Sequence, residues 1–191
     1  MLNLPKKVPL EERIDRALYK LGMQQAKLER VRQETEKLAQ ETFDKCIQAQ
    51  LDKDDQKATL YATECAQARK VGQTILTSQM AVEQIMIRLQ TLKEFKNVVS
   101  EIGPVSTVAK TLKGKLTNLA PGVSVELRDV NVSLEGMLVE AGEVSRSEGP
   151  IATHETDDIL SQASLVAEQK LKERFPVAPA NAVATKAQAQ R

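Results

Sequence analysis

Apolar residues recur at steps of three and four along the first fifty positions of the chain, with one glycine and no proline between Glu12 and Gln50. A seven-residue template through this stretch meets apolar side chains at Ile14, Ala17, Leu21, Leu28, Val31 and Leu38. It is interrupted at Gln24, Thr35, Thr42 and Lys45. The pattern predicts one long amphipathic helix from about Pro9 to Leu51. Proline and the following carboxylates of Glu11 and Glu12 are suited to its first turn.

A second and more regular stripe follows a short polar connection. Asp52, Asp54 and Asp55 interrupt the apolar pattern and can accept hydrogen bonds from the first N–H groups of a new helix. The stripe then occupies Tyr61, Ala68, Val71, Ile75, Val82, Ile85, Leu89, Leu92 and Val99, with Glu64, Ser78 and Lys96 as exceptions. Two long stripes joined by so short a connection bury each other. They predict an antiparallel helical hairpin over about residues 9–102.

Shorter elements are predicted beyond the hairpin. Gly103-Pro104 should end or kink the second helix, and two short helices should follow within residues 104–142. Their apolar positions are Val108, Leu112, Leu116 and Leu119, then Val125, Leu127, Val130, Leu134, Leu138 and Val139. Neither helix is long enough to be stable alone, so both are expected to dock on a neighbour.

The last quarter of the chain changes composition twice. Residues 143–156 are polar, acidic and punctuated by glycine and proline, which predicts a flexible linker. Residues 157–175 are expected to form an amphipathic C-terminal helix that Pro176 stops. Residues 176–191 are Ala-, Pro- and Gln-rich, which predicts a disordered tail. The predicted fold class is all-α: an elongated antiparallel helical hairpin followed by shorter helices, a flexible linker, a C-terminal helix and a disordered tail.

Composition and charge support an elongated body. The 191 residues include no Trp, three Phe and two Tyr, a poor supply for a thick core. The net charge of +1 argues against a general nucleic-acid binder. Residues 1–115 nevertheless carry 20 Lys and Arg against 15 Asp and Glu, and residues 116–191 carry 7 against 11. Acidic residues that could screen the basic hairpin are Glu140, Glu143, Glu148, Glu155, Asp157 and Asp158.

The chemistry of an active site is missing from the sequence. His154 is the only histidine and falls in the predicted linker, and no Gly-rich phosphate loop is present. Cys46 and Cys65 match no zinc or redox spacing and are expected to be buried as small apolar residues. We therefore expect no enzyme, no cofactor and no metal. Without a secretory signal or an apolar run of about 18 residues, a cytoplasmic location is expected.

The stretch from Glu64 to Phe95 resembles the second helix of the ESCRT-III family, in particular its archaeal cell-division branch, the Cdv B proteins. Arg69-Lys70, the run Ser78–Gln84 and Ile87-Arg88-Leu89 carry the resemblance, which extends by helix order and charge pattern over about residues 10–141. It implies a subunit that assembles filaments on membranes to constrict or sever them, in cell division or vesicle budding. It also implies self-association, sister ESCRT-III subunits and remodelling by an AAA ATPase with a MIT domain.

The same resemblance suggests two sites. Residues 1–8 would lie at an anionic membrane surface on the inner face of the cell membrane, at the division site. The membrane candidates are Leu2, Leu4, Lys6, Lys7, Arg13, Arg16, Lys20 and Lys27, with Arg30 and Arg32 as further cations. The candidate for binding the MIT domain comprises Glu168, Leu171, Arg174, Phe175 and Pro176. Its acid–Leu–Arg spacing follows the family's helical motif, although Pro176 departs from it and "FPVAP" suggests an extended alternative.

Competing interpretations remain open at the level of sequence. The cations could belong to an ordinary solvated helix face, and the C-terminal helix could fold back on the hairpin. A soluble coiled-coil adaptor or scaffold without membrane activity is the main functional alternative. A phage-shock-type membrane-stress protein fits less well, because its helical body is longer than a hairpin that ends at Gly103-Pro104.

Overall fold

A computed structural model describes residues 8–95, 101–140 and 150–179, and within these residues it contains helices and no strand. The helices are α1 (Leu10–Leu51), α2 (Asp55–Phe95), α3 (Ile102–Leu116), α4 (Pro121–Glu140) and α5 (Pro150–Arg174). Asp15 near the start of α1 meets Lys93 near the end of α2, with Lys93 Nζ 2.6 Å from Asp15 Oδ1. At the other end, Cys46 Sγ lies 3.4 Å from the carbonyl oxygen of Ala58. The predicted all-α fold and its antiparallel hairpin are confirmed.

The hairpin connection is built as the three aspartates predict. Asp54 caps α2, because its Oδ1 accepts a hydrogen bond from the backbone N–H of Lys57 at 3.0 Å. That bond, with the Lys57 ammonium, lowers the pKa of the Asp54 carboxyl. Lys53 adopts a left-handed conformation with φ of 56°, which reverses the chain within three residues. Asp55 is the first residue of α2, where its charge favours the positive end of the helix dipole.

The buried seam of α1 differs from the predicted template in its second half. Its members are Ile14, Ala17, Leu21, Gln24, Leu28, Arg32, Thr35, Ala39, Thr42, Cys46 and Ala49. After Leu28 every second position of the seam moves one residue later, so that Leu38 is 52% exposed and Ala39 is buried. An α-helix has about 3.6 residues per turn, and a strict seven-residue repeat drifts around it by about 20° per repeat. The drift appears in one of the two lines of the seam, where Arg32, Ala39 and Cys46 are buried in place of Val31, Leu38 and Lys45, whereas Thr35, Thr42 and Ala49 keep the seven-residue spacing from Leu28.

Three of the predicted interruptions belong to the seam. The hydroxyl of Thr35 donates to the carbonyl of Val31 at 2.7 Å, and that of Thr42 donates to the carbonyl of Leu38 at 2.8 Å. Gln24 is also buried, and its amide donates to the carbonyl of Lys20 at 3.2 Å. Hydrogen bonds to the preceding turn satisfy these donors and allow polar side chains in the interface.

The middle of α2 is buried on more than one side. Ile75, Leu76, Thr77, Ser78 and Gln79 form a continuous buried run, because α2 packs against α1, α3 and α5. Ser78, an exception in the predicted stripe, is fully buried, and its hydroxyl donates to the carbonyl of Thr74 at 2.8 Å. Of the other predicted positions, Lys96 and Val99 lie outside the described residues.

α3 and α4 form a second, shorter hairpin that closes the open end of the first. Gly103 and Pro104 lie within the first turn of α3, which corrects the expectation that they end or kink α2. Proline is tolerated there because the first N–H groups of a helix have no intrahelical partner. The buried hydroxyl of Ser106 donates to Asn131 Oδ1 at 2.7 Å and joins the two helices. Their inner faces pack with Ile14, Leu21 and Ile85 into the main core. Val125 and Val139, which were expected to dock as well, are 50% and 61% exposed.

α5 begins earlier than expected and lies along α2 and α3. Its first residue is Pro150, so the second half of the segment predicted as a linker is helical and the start expected at Asp157 is corrected. The end at Arg174 agrees with the stop predicted at Pro176. Residues 176–179 follow without helix, and Ala178 packs against the cluster of Cys46 and Ala62. Residues 141–149 and 180–191 lie outside the described residues.

Candidate functional site

The apolar anchors of the C-terminal motif are buried within the chain itself. Leu171 is 5% exposed and Phe175 is 2% exposed. They form a cluster with Ala167 of α5 and with Ala39, Ala68 and Leu76 of the long hairpin. In this conformation the motif folds back on the hairpin, as one of the two interpretations of the sequence expected.

A glycine of α2 forms the seat of the Phe175 ring. A Cβ atom at position 72 would lie 2.4 Å from Phe175 Cζ and 2.5 Å from Phe175 Cε1, far inside van der Waals contact. Arg69, one turn before, donates from Nη1 to the carbonyl oxygen of Phe175 at 2.6 Å. Sequence reasoning missed Gly72, because a glycine inside a helix is first interpreted as a loss of helix propensity. Arg69 was noticed only as part of the family resemblance.

The charged members of the motif face solvent. Glu168 forms an ion pair with Lys172 on its own helix at 2.9 Å, and this hydrogen bond lowers the pKa of the Glu168 carboxyl. Arg174 is half exposed and its Nη1 lies 4.0 Å from Glu36 Oε2. A partner that approaches α5 in this conformation therefore meets Glu168 and Arg174 but not Leu171 or Phe175.

A polar cluster lies between α1, α2 and the end of α5, along a groove of about 560 Å³. Arg32 is buried at its centre and pairs with Glu29 at 2.6 Å and with Glu36. Glu29 also accepts a hydrogen bond from Gln79 at 3.1 Å. The hydrogen bond from Arg32 is the main reason that the pKa of Glu29 falls to about 2. The Arg32 guanidinium is thus buried and paired within the hairpin, where it cannot contact a membrane surface.

Two of the predicted membrane cations are held by α4. Arg13 Nη1 lies 2.9 Å from Glu140 Oε2, and its Nη2 donates to the carbonyl of Ser133 at 3.2 Å. Lys20 Nζ lies 3.8 Å from Glu126 Oε2. Glu140 belongs to the acidic set predicted to screen the hairpin, whereas Glu126 was missed.

The remaining predicted membrane cations are exposed on α1 or lie outside the described residues. Arg16 pairs with Glu12 one turn before, at 2.5 Å, and Lys27 and Arg30 are exposed on α1. Four candidates lie outside the described residues, and they are Leu2, Leu4, Lys6 and Lys7. Arg16, Lys27 and Arg30 are therefore the described cations that face solvent at the start of α1.

The described residues carry little that suggests metal or thiol chemistry. Cys46 and Cys65 are both buried and free, as predicted, and burial raises the pKa of each thiol. His154 is exposed on α5, where its Nδ1 lies 3.0 Å from Asp158 Oδ2. Within the described residues no group of three or more His, Cys, Asp or Glu side chains could hold a metal ion. None of the described helices is long and apolar enough to cross a membrane.

Comparison with curated proteins finds relatives that match along nearly the whole chain. The chain is 35% identical over 182 residues to Cell division protein B1 of Sulfolobus acidocaldarius. This match covers 94% of the chain and 85% of the relative. The chain is 28% identical over 176 residues to Cell division protein B of the same organism, covering 91% of this chain and 67% of that relative. No protein-family model and no solved structure matches the chain. With more than a third of its residues identical over this length, the chain belongs to the Cell division protein B family, the archaeal branch of ESCRT-III.

Proposed function

We propose that the chain is a subunit that polymerises on membranes and constricts or severs them during cell division, and that an AAA ATPase with a MIT domain remodels the polymer. The observation that carries this proposal is that Leu171 and Phe175 are buried against the long hairpin. Binding of a MIT domain and docking of α5 would use the same two side chains and so exclude each other. A subunit of this kind exists in a closed form, with α5 docked, and an open form that offers α5 to the ATPase.

Filament formation would use the long hairpin. Two helices of 42 and 41 residues give a rod of about 60 Å at a rise of about 1.5 Å per residue. Such a rod offers long lateral faces, along which identical copies can stack with the same contact repeated from one to the next. Sister subunits of similar shape could join the same filament.

Membrane binding would use the cations at the start of α1. Cations near an anionic surface contribute about 1 kcal/mol each, so a single subunit binds weakly and a polymer binds tightly through the sum of many contacts. Because α4 holds Arg13 and Lys20 through Glu140 and Glu126, the chain presents fewer cations while α4 is docked on α1 than it would with α4 released. Release of α4 from α1 and membrane binding are therefore expected to favour each other.

Co-sedimentation of the full chain with anionic and neutral vesicles tests the membrane part. The test variant replaces Lys6, Lys7, Arg13 and Arg16 by Gln. A matched control loses four exposed cations from the other half of the hairpin, namely Lys37, Lys45, Lys57 and Lys70. We expect loss of pelleting only in the test variant and filaments or tubes on anionic vesicles in negative stain. Equal pelleting of both variants, or a dimer that ignores lipid, would favour the soluble adaptor.

Titration of the full chain with the cognate MIT domain tests the ATPase part. Gly72→Ala should raise the affinity, because it displaces Phe175 from its seat while leaving the motif intact. Leu171→Asp should abolish binding. Leu165→Asp changes an exposed α5 side chain outside the motif and should have no effect. If Leu171→Asp binds as tightly as the native chain, the assignment of the motif is wrong.

A further inference from the structure

α4 has two apolar faces, and the residues that the structure describes cover one of them. The inner face is buried in the main core through Leu127, Val130, Leu134 and Met137, among others. The outer face carries Val125, Val132 and Val139, which are 50%, 60% and 61% exposed. These valines are seven residues apart, so they lie on one line with a spacing of about 10.5 Å.

Valine is unfavourable on a solvated helix face. Its branched side chain loses rotamer freedom in a helix, and an exposed position returns no burial in compensation. β-Branched residues at every seventh position are typical of the seam between two packed helices. The stripe therefore indicates a helix partner that the single chain does not supply within its described residues.

The charges beside the stripe identify that partner. At about 100° per residue, Arg128 and Glu135 lie about 40° and 60° from Val132, on the same side of the valine line. Arg128 is 57% exposed, and its Nη2 lies 3.3 Å from Asp129 Oδ1. Glu135 is exposed and accepts a hydrogen bond from Asn131 at 2.9 Å. Arg128 precedes Val132 by four residues and Glu135 follows it by three, so the two charges stand almost symmetrically about the central valine.

We propose that the outer face of α4 binds the same face of a second copy, antiparallel, with a two-fold axis at Val132. The two Val132 side chains then meet, and Val125 of each copy meets Val139 of the other. Arg128 lies about 6 Å to one side of the axis and Glu135 about 4.5 Å to the other, at a rise of about 1.5 Å per residue. The two-fold rotation therefore brings Arg128 next to Glu135 of the second copy, twice, in a self-complementary interface.

The rest of α4 leaves this approach open. Glu126 and Glu140, which bind Lys20 and Arg13 of α1, lie about 80° to 120° from Val132 on the opposite side of the valine line. α1 therefore approaches α4 from the side away from Arg128 and Glu135. The proposed contact can form while α4 stays docked on the hairpin.

Three valines and two ion pairs bury less than the roughly 800 Å² per partner of a standard stable interface. The contact is thus weak in isolation and gains strength where copies are already held together. It extends the self-association that the proposed function requires, but it needs neither lipid nor ATPase. Measurement in lipid-free buffer consequently separates its failure from that of membrane binding.

Charge exchange in the full chain tests the proposal by sedimentation equilibrium. Arg128→Glu and Glu135→Arg should each weaken self-association by roughly tenfold, because each places like charges across the interface. The double variant should restore it, since it rebuilds both ion pairs in the opposite sense. Rescue by the double variant would show that the single variants act through the contact between copies, because damage to α4 itself would persist when both substitutions are present. Unchanged self-association in both single variants, or no rescue in the double variant, would overturn the proposal.

Disulfide cross-linking gives a second, independent measurement. Val132→Cys places two thiols at the two-fold axis. With an added disulfide oxidant such as oxidised glutathione, which takes up the two electrons and two protons, we expect it to form a covalent dimer at least ten times faster than Leu165→Cys, by the gain in effective concentration. Leu165 is a suitable control because it is 67% exposed on α5, outside the proposed interface. Cys46 and Cys65 are fully buried and are present in both variants, so any reaction of theirs adds the same background to both rates. Equal cross-linking rates at positions 132 and 165 would contradict the proposal.

Discussion

Gly72→Ala should open the closed form while strengthening the helix that carries it. The added Cβ would lie 2.4 Å from Phe175 Cζ, so the ring has to leave its seat. Alanine is also favoured over glycine by about 1 kcal/mol inside a helix. This gain applies equally whether α5 is docked or undocked, and it leaves the docking equilibrium unchanged.

The magnitude follows from the burial of the ring. Phe175 is 2% exposed, and complete burial of a phenylalanine stabilises by about 1.5 to 3 kcal/mol. Loss of that contribution raises the undocked fraction by about 10- to 150-fold. Gly72→Ala is therefore expected to make α2 more stable and the attachment of α5 less stable.

Reaction of the Cys65 thiol measures the undocked fraction. Cys65 is fully buried, and its Sγ lies 3.8 Å from the carbonyl oxygen of Pro176. A thiol reagent reaches it only when the end of α5 lifts, and the rate follows the open fraction when opening and closing are fast. In a Cys46→Ala background, we expect Gly72→Ala to accelerate labelling by about 10- to 150-fold.

Two controls make the measurement specific. Gly22→Ala adds the same methyl group to α1, where the new Cβ would lie 4.0 Å from Met86 Cε, in ordinary van der Waals contact. It should leave the labelling rate unchanged. In a Phe175→Ala background, Gly72→Ala should have no further effect, because the clash is gone. Labelling of Gly72→Ala at the native rate would refute the steric argument.

Three further predictions follow from the contacts of the closed form. Arg69→Ala removes the hydrogen bond to the carbonyl of Phe175 and should raise the thiol labelling rate by about tenfold. Glu140→Gln releases Arg13 from its ion pair and should increase co-sedimentation with anionic vesicles, most at low salt. Glu29→Gln should lower the free energy of unfolding at neutral pH by about 1 kcal/mol, since solvent screens the half-exposed carboxylate. Because the pKa of Glu29 is lowered from 4.5 to about 2, the native stabilisation is present above pH 4.5 and lost as the pH falls towards 2.

Each of these predictions has a matched comparison. Lys70→Ala removes an exposed cation next to Arg69 and should not change labelling. Glu64→Gln removes an exposed acid from α2 and should pellet like the native chain. For Glu29→Gln, chemical denaturation at both ends of the pH range should show a deficit at neutral pH that disappears near pH 2. A deficit that persists in acid would mean that Glu29 contributes through packing rather than charge.

The hairpin was predictable because its signal is repeated along two long helices. Each stripe carries many apolar positions, and the aspartates around Lys53 mark the only turn between them. The repeat located Thr35 and Thr42 on the seam but counted them as interruptions, although both are buried because their hydroxyls are satisfied on their own helix. The sequence alone does not show whether a polar side chain makes such a local hydrogen bond.

The candidate site was predictable in its motif but not in its seat. Leu171 and Phe175 stand out by spacing, whereas Gly72 becomes meaningful only when α5 lies across α2. The early start of α5 was missed because Pro150 looks like a linker residue in the sequence, although proline is compatible with a first helical turn. The contacts of Arg13 and Lys20 with α4 depend on tertiary packing, which local charge counts do not contain.

Pro104 gives the molecule a built-in preference for the bent arrangement. In the first turn of α3 its missing N–H has no cost, but any conformation in which α2 and α3 fused into one straight helix would place it in the interior. Such a fusion would be opposed by about 3 kcal/mol. A subunit straightened by its neighbours in an assembly would therefore store this energy as elastic strain and return to the bent shape when those neighbours depart.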